Sequence, residues 1–536
     1  MKKFVCMSLA ALFLAGSLAG CGGNSGYNSD SVVVYLEYNG IMGKEDDKVK
    51  LALEEKFKKD TGESIDLILE PSSTSMLGQK VVGALAADSD RIDAIISHYS
   101  SDSMLTAMIT EEKELKDLTE LTATYAPEFV ADFNEESDPH GLAYHKGMYN
   151  GKLYALSTLD ANSIFGMLVN RDYMAKTSFD PDEYDVSKDG CKSLSIDQFT
   201  QLLRELKENN PAIGRPLAGA PYDLDYFISP VYSCTGYTRM ELVDGQLYPA
   251  YATEGYLKVM EYERMLQVEK LWMENPGDTA SSERDFTAGK AAVYLSWPEV
   301  TSQINMARKL KKSTGADCVI LAPLLKEGSD TETNGNARHE SAFSGLSVPK
   351  KGQNTELLLK FINWLRTDKE NYELAKYGVK GEHWEEATLN GKEAYAYPES
   401  RRAEYEESAP YSGLYSLLTN VHISNRLYAG YTEKEAKWVE EVHAFPVFPA
   451  DGYAEEGFIL PSVPASDRKL KAESANLSKE YVQMRAYAWS DAPIPDGKTL
   501  AGMHAAIREN LKTKYTNYLK FVNDEYQKAL SMLGKN

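Results

Sequence analysis

Residues 31–36 read Ser-Val-Val-Val-Tyr-Leu, a run of β-branched, aromatic and aliphatic residues that predicts a β-strand. Val49, Leu53 and Phe57 then recur at helical spacing, and Gly62 is typical of the residue that ends a helix. A strand followed directly by a helix is the first unit of an α/β fold. This stretch therefore predicts the fold class of the chain.

The same alternation continues beyond the first unit. Residues 64–70 predict a second strand, the spacing of Leu77, Val81 and Leu85 predicts a second helix, and residues 92–96 predict a third strand. A βαβαβ order is typical of a parallel sheet with helices on both faces, which binds ligands beyond the carboxyl ends of its strands. Three loops therefore become candidates for a binding site: 37–40, 71–74 and 97–100.

A second α/β region is predicted from about residue 158. Its helices are indicated by the apolar spacing around Phe199 and Leu257, and its strand covers residues 291–295. The last helix is predicted over residues 512–533. No internal repeat is evident, and no segment after the N-terminal one is apolar enough to predict a membrane span.

The N-terminal residues are typical of a secretory signal. Lys2 and Lys3 precede the apolar residues 4–15, which are too few to cross a bilayer as a helix. The sequence Leu-Ala-Gly-Cys that ends at Cys21 resembles a bacterial lipobox, so Cys21 is expected to become the first mature residue and to carry a lipid. The predicted location is therefore outside the cytoplasm, anchored by lipid to the outer face of the cell membrane.

Charge and cysteine content exclude several classes of protein. The chain has 58 basic and 80 acidic residues, a formal net charge of -22, so general binding of nucleic acid is not expected. Beyond Cys6 and Cys21, the cysteines are Cys191, Cys234 and Cys318, an odd number without metal-site spacing. Neither a disulfide framework nor a cysteine metal site is predicted.

Several stretches carry a family resemblance through their order and spacing. They are GKLYAL at 151–156, FGMLVNRDYMAK at 165–176, FTAGKAAV at 286–293, SGLSVP at 344–349 and YGVKGEHW at 377–384. Together they resemble the extracellular solute-binding protein family 1, which includes maltose-binding and oligosaccharide-binding lipoproteins. The last stretch is similar to the larger oligosaccharide-binding lipoproteins of Gram-positive bacteria. The resemblance spans most of residues 30–385, and the region after about residue 400 departs from the pattern.

The resemblance implies an α/β, two-lobed, periplasmic-binding-protein-like fold of type II, with hinge strands between the lobes and an extended, mostly helical C-terminal region. It implies a monomer without catalytic residues that closes over a carbohydrate and delivers it to the permease subunits of an ABC importer. The expected segments are a signal peptide at 1–20, a lipidated tether at 21–30, an N-terminal lobe at 31–157 and 322–385, and a C-terminal lobe at 158–321 and 386–536.

A sugar cleft needs aromatic platforms and polar side chains, because sugars present apolar C–H faces and a rim of hydroxyl groups. Trp297 follows a predicted strand, so its indole is expected at the cleft, with packing as the alternative. For Trp384, in a glycine-bounded turn, ligand contact and packing are both open. The other candidate ligand-binding residues follow predicted strands or the hinge: Tyr38, Asn39, Tyr99 and Asp160. Trp272 and Trp364 lie on predicted helices at apolar spacing and are expected in the core.

An acidic run at residues 180–185 raises the question of calcium. It lacks the glycine and closing glutamate of an EF-hand loop, so a solvated acidic loop is favoured, with calcium as the alternative. No metal site or other cofactor is otherwise expected.

Two other functions are weighed against solute capture. A lipoprotein glycoside hydrolase would need two carboxylates that face each other across a cleft, and 80 acidic residues allow many such pairs. No nucleophile elbow, zinc-hydrolase motif or phosphate-binding glycine loop is present, so an enzyme is disfavoured. A surface glycan-binding lipoprotein without a transporter would share the anchor and the aromatic residues. Whether the ligand is neutral or a uronic acid stays open.

Overall fold

The computed structural model of the chain describes residues 27–87, 90–98, 103–110, 114–133, 144, 147–157, 163–164, 166–234, 240–295, 300–329, 337–339, 344–418, 426–442, 447–448, 463, 467–495 and 497–532. Four of the candidate residues lie outside these ranges: Cys21, Tyr99, Asp160 and Trp297. Among the helices that the structure describes, none combines the length and the apolar composition needed to cross a lipid bilayer.

The strands that the structure describes are β1 (Ser31–Glu37), β2 (Asp66–Ser72), β3 (Ala94–His98), β4 (Met148–Tyr149), β5 (Lys152–Leu153), β6 (Ala155–Ser157), β7 (Ser163–Ile164), β8 (Met167–Asn170), β9 (Leu217–Ala218), β10 (Met240–Val243), β11 (Gln246–Pro249), β12 (Val293–Leu295), β13 (Cys318–Leu321), β14 (Ala337–His339), β15 (Ser344–Ser347), β16 (Glu385–Leu389), β17 (Lys392–Ala396), β18 (Leu427–Tyr428) and β19 (Val447–Phe448).

The α-helices of the described residues are α1 (Asp46–Thr61), α2 (Thr74–Ala86), α3 (Ser103–Thr110), α4 (Thr119–Tyr125), α5 (Pro127–Ala131), α6 (Arg171–Met174), α7 (Pro181–Tyr184), α8 (Ile196–Asn209), α9 (Pro221–Ile228), α10 (Glu254–Val268), α11 (Thr279–Thr287), α12 (Val300–Thr314), α13 (Thr355–Thr367), α14 (Lys369–Tyr377), α15 (Arg402–Glu407), α16 (Glu433–Val442), α17 (Arg468–Ala488), α18 (Leu500–Thr513) and α19 (Thr516–Met532). Short 3-10 helices cover Ser229–Tyr232, Ala250–Ala252, Glu399–Arg401 and Leu414–Leu418.

The first sheet has the strand order β2-β1-β3-β15-β6. β1 runs parallel to β2 and β3, and Val34 pairs with Leu69 on one side and with Ala94 on the other. The predicted βαβαβ order is confirmed. β15 follows β6 in the chain by almost 190 residues, and it lies antiparallel between β3 and β6. The carboxyl ends of β1, β2 and β3 therefore meet at one edge of the sheet.

Helices cover both faces of this sheet, as the sequence predicts. Val32, Val34 and Leu36 alternate along β1 and pack in one apolar core with α1 and α13. Phe57 and Trp364 meet edge to face there, with ring centroids 5.4 Å apart. The opposite face packs against apolar residues of α2 and α3. We call this sheet and its helices the first lobe.

The second sheet has the order β13-β8-β12-β9. β8 runs antiparallel to β12 and β13, whereas β9 is parallel to β12. The side chain of Asn170, at the end of β8, accepts hydrogen bonds from the backbone N–H groups of Asp172 and Tyr173, at 3.1 and 3.2 Å. This N-cap explains why the Asn-Arg-Asp sequence starts a helix.

The core around the second sheet, which we call the second lobe, also contains apolar residues of the C-terminal helices α17, α18 and α19. The helical C-terminal region is therefore confirmed, and the last helix, predicted over about residues 512–533, is α19, whose start lies at Thr516. The preceding helix, α18, ends at Thr513. The N–H groups of Lys514 and Tyr515 both donate to Asn510 O at 2.7 Å, and Tyr515 donates its hydroxyl to Glu480 at 2.6 Å. A new helix begins at Thr516.

Both connections between the two sheets contain a short strand. β7 lies between β6 and β8 in the chain, β14 lies between β13 and β15, and the two pair antiparallel through Arg338 and Ile164. β14 pairs on its other side with β19. This pairing is the arrangement expected of hinge strands, because the chain passes from one lobe to the other at both places.

The division of the chain into lobes stays a prediction at its boundaries. Tyr411, Leu414, Tyr415 and Leu418 pack in the core of the first lobe. We predicted residues 386–536 as part of the C-terminal lobe. The packing of these four residues favours a boundary later in the chain than residue 385.

Candidate functional site

Polar side chains connect the strand ends at the carboxyl edge of the first sheet. Thr74, the first residue of α2, donates its hydroxyl to the carboxylate of Glu37, the last residue of β1. Ser97, near the end of β3, donates to the other oxygen of that carboxylate at 3.3 Å. Asn39 donates its amide to Thr74 Oγ1 at 2.8 Å. The structure thus brings residues of the three predicted loops together.

Tyr38 and Asn39 lie where the sequence places them, directly after β1. The N–H of Tyr38 donates to Ser72 O at 2.8 Å, which extends the pairing of β1 with β2, and its hydroxyl donates to Ile41 O at 3.2 Å. The side chain of Asn39 is exposed. Contact of either side chain with a ligand stays a prediction.

Trp384 lies in a closed turn rather than at an open surface. Its side chain is 2% exposed, and its indole N–H donates to Gly378 O at 2.9 Å. Tyr377 packs at a centroid distance of 5.4 Å, and the guanidinium of Arg426 lies 5.3 Å from the ring centroid. Ligand contact by Trp384 stays a prediction, and this burial favours the packing alternative. Trp272 and Trp364 are 0% and 6% exposed, so their core positions are confirmed.

The carboxyl edge of the second sheet offers a residue that we did not single out from the sequence. β9 ends at Ala218, and α9 begins three residues later with Asp223 in its first turn. A Cβ on Gly219 would lie 2.5 Å from the Cβ of Leu295, the last residue of β12. The close approach of these strand ends brings Gly219, just before α9, against Leu295 at the end of β12.

Asp223 is buried without a charged partner among the described residues. The residue is 4% exposed, and one carboxylate oxygen accepts the N–H of Ala220 at 3.3 Å, while the other has no hydrogen-bond partner within the part of the chain that the structure describes. Burial raises the pKa of this carboxyl group to about 7. An oxygen without a partner is suited to accept a hydroxyl hydrogen from a ligand.

The helix that carries Asp223 lies near one of the connections between the two sheets. The helix α9 and the 3-10 turn after it both contact β14, which lies in a connection between the sheets. Tyr222, next to Asp223, is 41% exposed. A binding site at Asp223 is only weakly indicated by the sequence, because β9 has only two residues and shows no strand periodicity. The indication that remains in the sequence is Pro221, which is typical of a helix start, followed two residues later by Asp223, an acidic residue in the first turn.

The side chains of the acidic run at 180–185 do not fit a calcium ion. Asp180 caps α7, and Asp182 pairs with Arg171 at 2.7 Å. Asp185 is 0% exposed, accepts the indole N–H of Trp438 at 2.7 Å and pairs with Lys434 at 2.8 Å. Calcium needs several converging oxygen ligands, and no group of three metal-binding side chains occurs among the described residues.

A family model described as bacterial extracellular solute-binding protein matches residues 43–372 of the chain. The chain belongs to this family. No curated protein matches this solute-binding protein in sequence. The family resemblance stated from the sequence motifs is therefore confirmed.

Solved structures of other solute-binding proteins are similar along nearly the whole chain. The N-glycan transport solute binding protein NgtS from Streptococcus pneumoniae has a TM-score of 0.62 and 15% identity, over 94% of this chain and 99% of that chain. The substrate binding protein FusA from S. pneumoniae, in complex with kestose, has a TM-score of 0.60 and 12% identity over 94% and 99%.

A solute binding protein from Bifidobacterium longum infantis, described as HMO binding and associated with an ABC transporter, has a TM-score of 0.58 and 14% identity over 95% of this chain and 98% of that chain. At such identities the likeness shows the fold. This solute-binding protein has the two-lobed type II fold, and its C-terminal region is part of the fold of these neighbours.

Proposed function

We propose that this solute-binding protein captures a carbohydrate, most simply an oligosaccharide, between its two lobes and delivers it to an ABC importer. Membership of the solute-binding family supports capture. Neighbours of the same fold are described in complex with Man1GlcNAc, Man5GlcNAc, kestose and fructo-nystose. They are also described as binding proteins rather than enzymes, which supports a function without catalysis for this chain.

The unpartnered carboxylate oxygen of Asp223 is the observation that carries the proposal. A buried polar atom without a partner costs about 1–3 kcal/mol, and such a cost is common where a protein keeps a group for its ligand. At the other lobe, the Glu37, Asn39 and Thr74 side chains present hydrogen-bonding groups at the sheet edge. A ligand with many hydroxyl groups would satisfy both edges at once.

The predicted residues complete the site in this proposal. In the sequence, Trp297 follows β12 by two residues and Tyr99 follows β3, which supports the expectation that each acts at the carboxyl edge of its sheet. Asp160 lies in the first connection between the lobes. We propose Trp297 and Tyr99 as stacking groups and Asp160 as a hydrogen-bonding group. We also propose that Cys21 holds the protein at the outer face of the cell membrane and that the protein acts as a monomer.

The proposal is tested by calorimetric titration with neutral and uronic-acid oligosaccharides. We expect saturable binding of at least one of them at one site, with the sugar recovered chemically intact. At pH 8, where the carboxyl group of Asp223 is mostly ionised, the Asp223→Asn variant should bind at least about tenfold more weakly, because a hydrogen bond to a charged group contributes about 1.5–3 kcal/mol.

The matched control is Asp189→Asn, since Asp189 is 93% exposed and lies outside the proposed site. It should bind like the wild type. The proposal fails if no oligosaccharide binds, if the sugar is cleaved, or if both variants retain wild-type affinity for the bound sugar.

A further inference from the structure

Residues 426–430 cross from one lobe to the other, at a place separate from the connections that contain β7 and β14. Earlier in the chain, α14 packs in the core of the first lobe through Ala375. Directly after the crossing, α16 packs in the core of the second lobe through Trp438. We call residues 426–430 the third connection, after the two between the sheets. It includes β18, which runs parallel to β17.

Arg426 fixes the start of the third connection to the first lobe. Its guanidinium donates to the carboxylate of Glu373 in α14 at 2.6 Å, and the two side chains are 7% and 6% exposed. Its backbone N–H donates to the hydroxyl of Tyr377, also in α14, at 3.1 Å. Such a pair keeps one geometry, because breaking it would leave a charge in the interior without its partner.

Arg308 fixes the other end of the third connection to the second lobe. It lies on α12, whose Ile304 and Leu310 pack in the core of that lobe. Its guanidinium donates to the two carboxylate oxygens of Glu435 in α16, at 2.7 and 2.8 Å, and to Gly430 O at 3.0 Å. A planar, forked donor that binds a carboxylate and a backbone carbonyl at once fixes their orientation as well as their distance.

The residues between these two ends have little freedom. The ring of Tyr428 packs against Tyr395 and Tyr397, at centroid distances of 5.4 and 4.8 Å. A Cβ on Gly430 would lie 2.5 Å from the Tyr428 ring, so the chain passes this ring closely only because residue 430 is glycine. The four peptide units from Arg426 to Gly430 span at most about 14 Å when fully extended. The third connection therefore limits how far apart its two fixed ends can move.

We infer that Arg308 and Arg426 are positioning residues that set the separation of the two lobes through the third connection. The lobes can turn about this short link, but they cannot move apart there unless one of the two ion pairs breaks. This gives a role to part of the region after residue 400, which departs from the family pattern in sequence. The inference concerns the chain without ligand, so it does not depend on which solute the protein captures.

Distances between spin labels on the two lobes test the inference. Leu51→Cys on α1 and Val482→Cys on α17 provide the label positions, since these residues are 58% and 47% exposed. Cys191→Ser removes a partly exposed thiol, and the other free cysteines of the described chain are buried. In this labelled protein, Arg308→Gln/Glu435→Gln removes both charges of one ion pair, so neither is left alone. We expect pulsed electron paramagnetic resonance without ligand to show a broader distribution of interlobe distances than in the labelled parent.

The matched control is Arg402→Gln/Glu399→Gln, because this ion pair joins two residues only three positions apart and does not cross between lobes. It should keep the parent distribution. The inference is wrong if Arg308→Gln/Glu435→Gln also keeps it, or if the control broadens it equally, since the loss of any ion pair would then explain the result.

Gly430→Ala tests the same link without a change of charge, and it replaces the ion-pair variant if urea unfolding shows that variant to be unfolded. The added methyl would displace the Tyr428 ring from its neighbours. We expect a shift in the mean interlobe distance, whereas an unchanged mean would overturn the inference. Sugar binding is measured separately, so the proposed function and the role of the third connection can each fail without the other.

Discussion

The carboxyl group of Asp223 links the binding site to the pH dependence of stability. Burial raises its pKa from an ordinary 3.8 to about 7, so the folded chain holds this proton more tightly than the unfolded chain does. The stability that this carboxyl group contributes to the folded chain is therefore fully present below about pH 4, and it is lost as the pH rises through 7. We expect Asp223→Asn to be more stable than the wild type at pH 8 and similar to it at pH 4. Urea unfolding at the two pH values measures this, and equal stability at pH 8 would contradict it.

At the level of residues, the sequence was informative where a side chain directly follows a well-patterned strand. Tyr38 and Asn39 were placed correctly because β1 has an unmistakable β-branched run. Asp223 was missed because β9 contains only Leu217 and Ala218, which show no periodicity. Trp384 was ambiguous because a glycine-bounded turn either opens to a ligand or closes on itself, and only the three-dimensional packing of Tyr377 and Arg426 favours the closed alternative.

The junction of β9 and β12 is the element that positions Asp223, and Gly219 allows it. Gly219 has a φ of +159°, and an added Cβ would lie 2.5 Å from the Cβ of Leu295. Gly219→Ala should therefore force the strands apart at a cost of about 1–3 kcal/mol and weaken ligand binding. Gly214→Ala is the control, because no atom lies within 4 Å of its added Cβ. Chemical denaturation and calorimetry compare the two, and similar losses in both variants would refute the role of this junction.

Elements with strong periodicity were predictable, and their ends depended on tertiary contacts. The helix predicted from Val49, Leu53 and Phe57 ends at Thr61, directly before Gly62, because these three residues share a buried face and Gly62 adopts the left-handed conformation of a helix end. The last helix was predicted from the face shared by Tyr515, Leu519, Val522 and Tyr526, and it is present, but it begins at Thr516 rather than near residue 512. The hydrogen bond from Tyr515 to Glu480 of α17 is a distant contact that no local pattern reveals.

At the scale of the whole molecule, one contact ties the C-terminal helix to the other lobe. Tyr149, in the β4–β5 hairpin beside the first lobe, donates its hydroxyl to Glu525 of α19 at 3.3 Å. Helix α19 packs in the core of the second lobe, so this bond crosses between lobes. We expect saturating ligand to reduce the radius of gyration in small-angle scattering, as closure of such proteins does. An unchanged radius at saturation would indicate a rigid, preformed site.

The position of β15 in the first sheet has a consequence for how the chain folds as it is made. β15, residues 344–347, lies between β3 and β6, which end at residues 98 and 157. Until β15 is synthesised, β3 and β6 each have an unpaired edge that can pair with another chain. All four strands of the second sheet are made during this interval, but the core of the second lobe also contains residues of α17, α18 and α19, which are made last. Neither lobe can therefore complete its core before the chain returns to it. Such non-local pairing slows folding and lengthens the time during which the chain needs protection from aggregation.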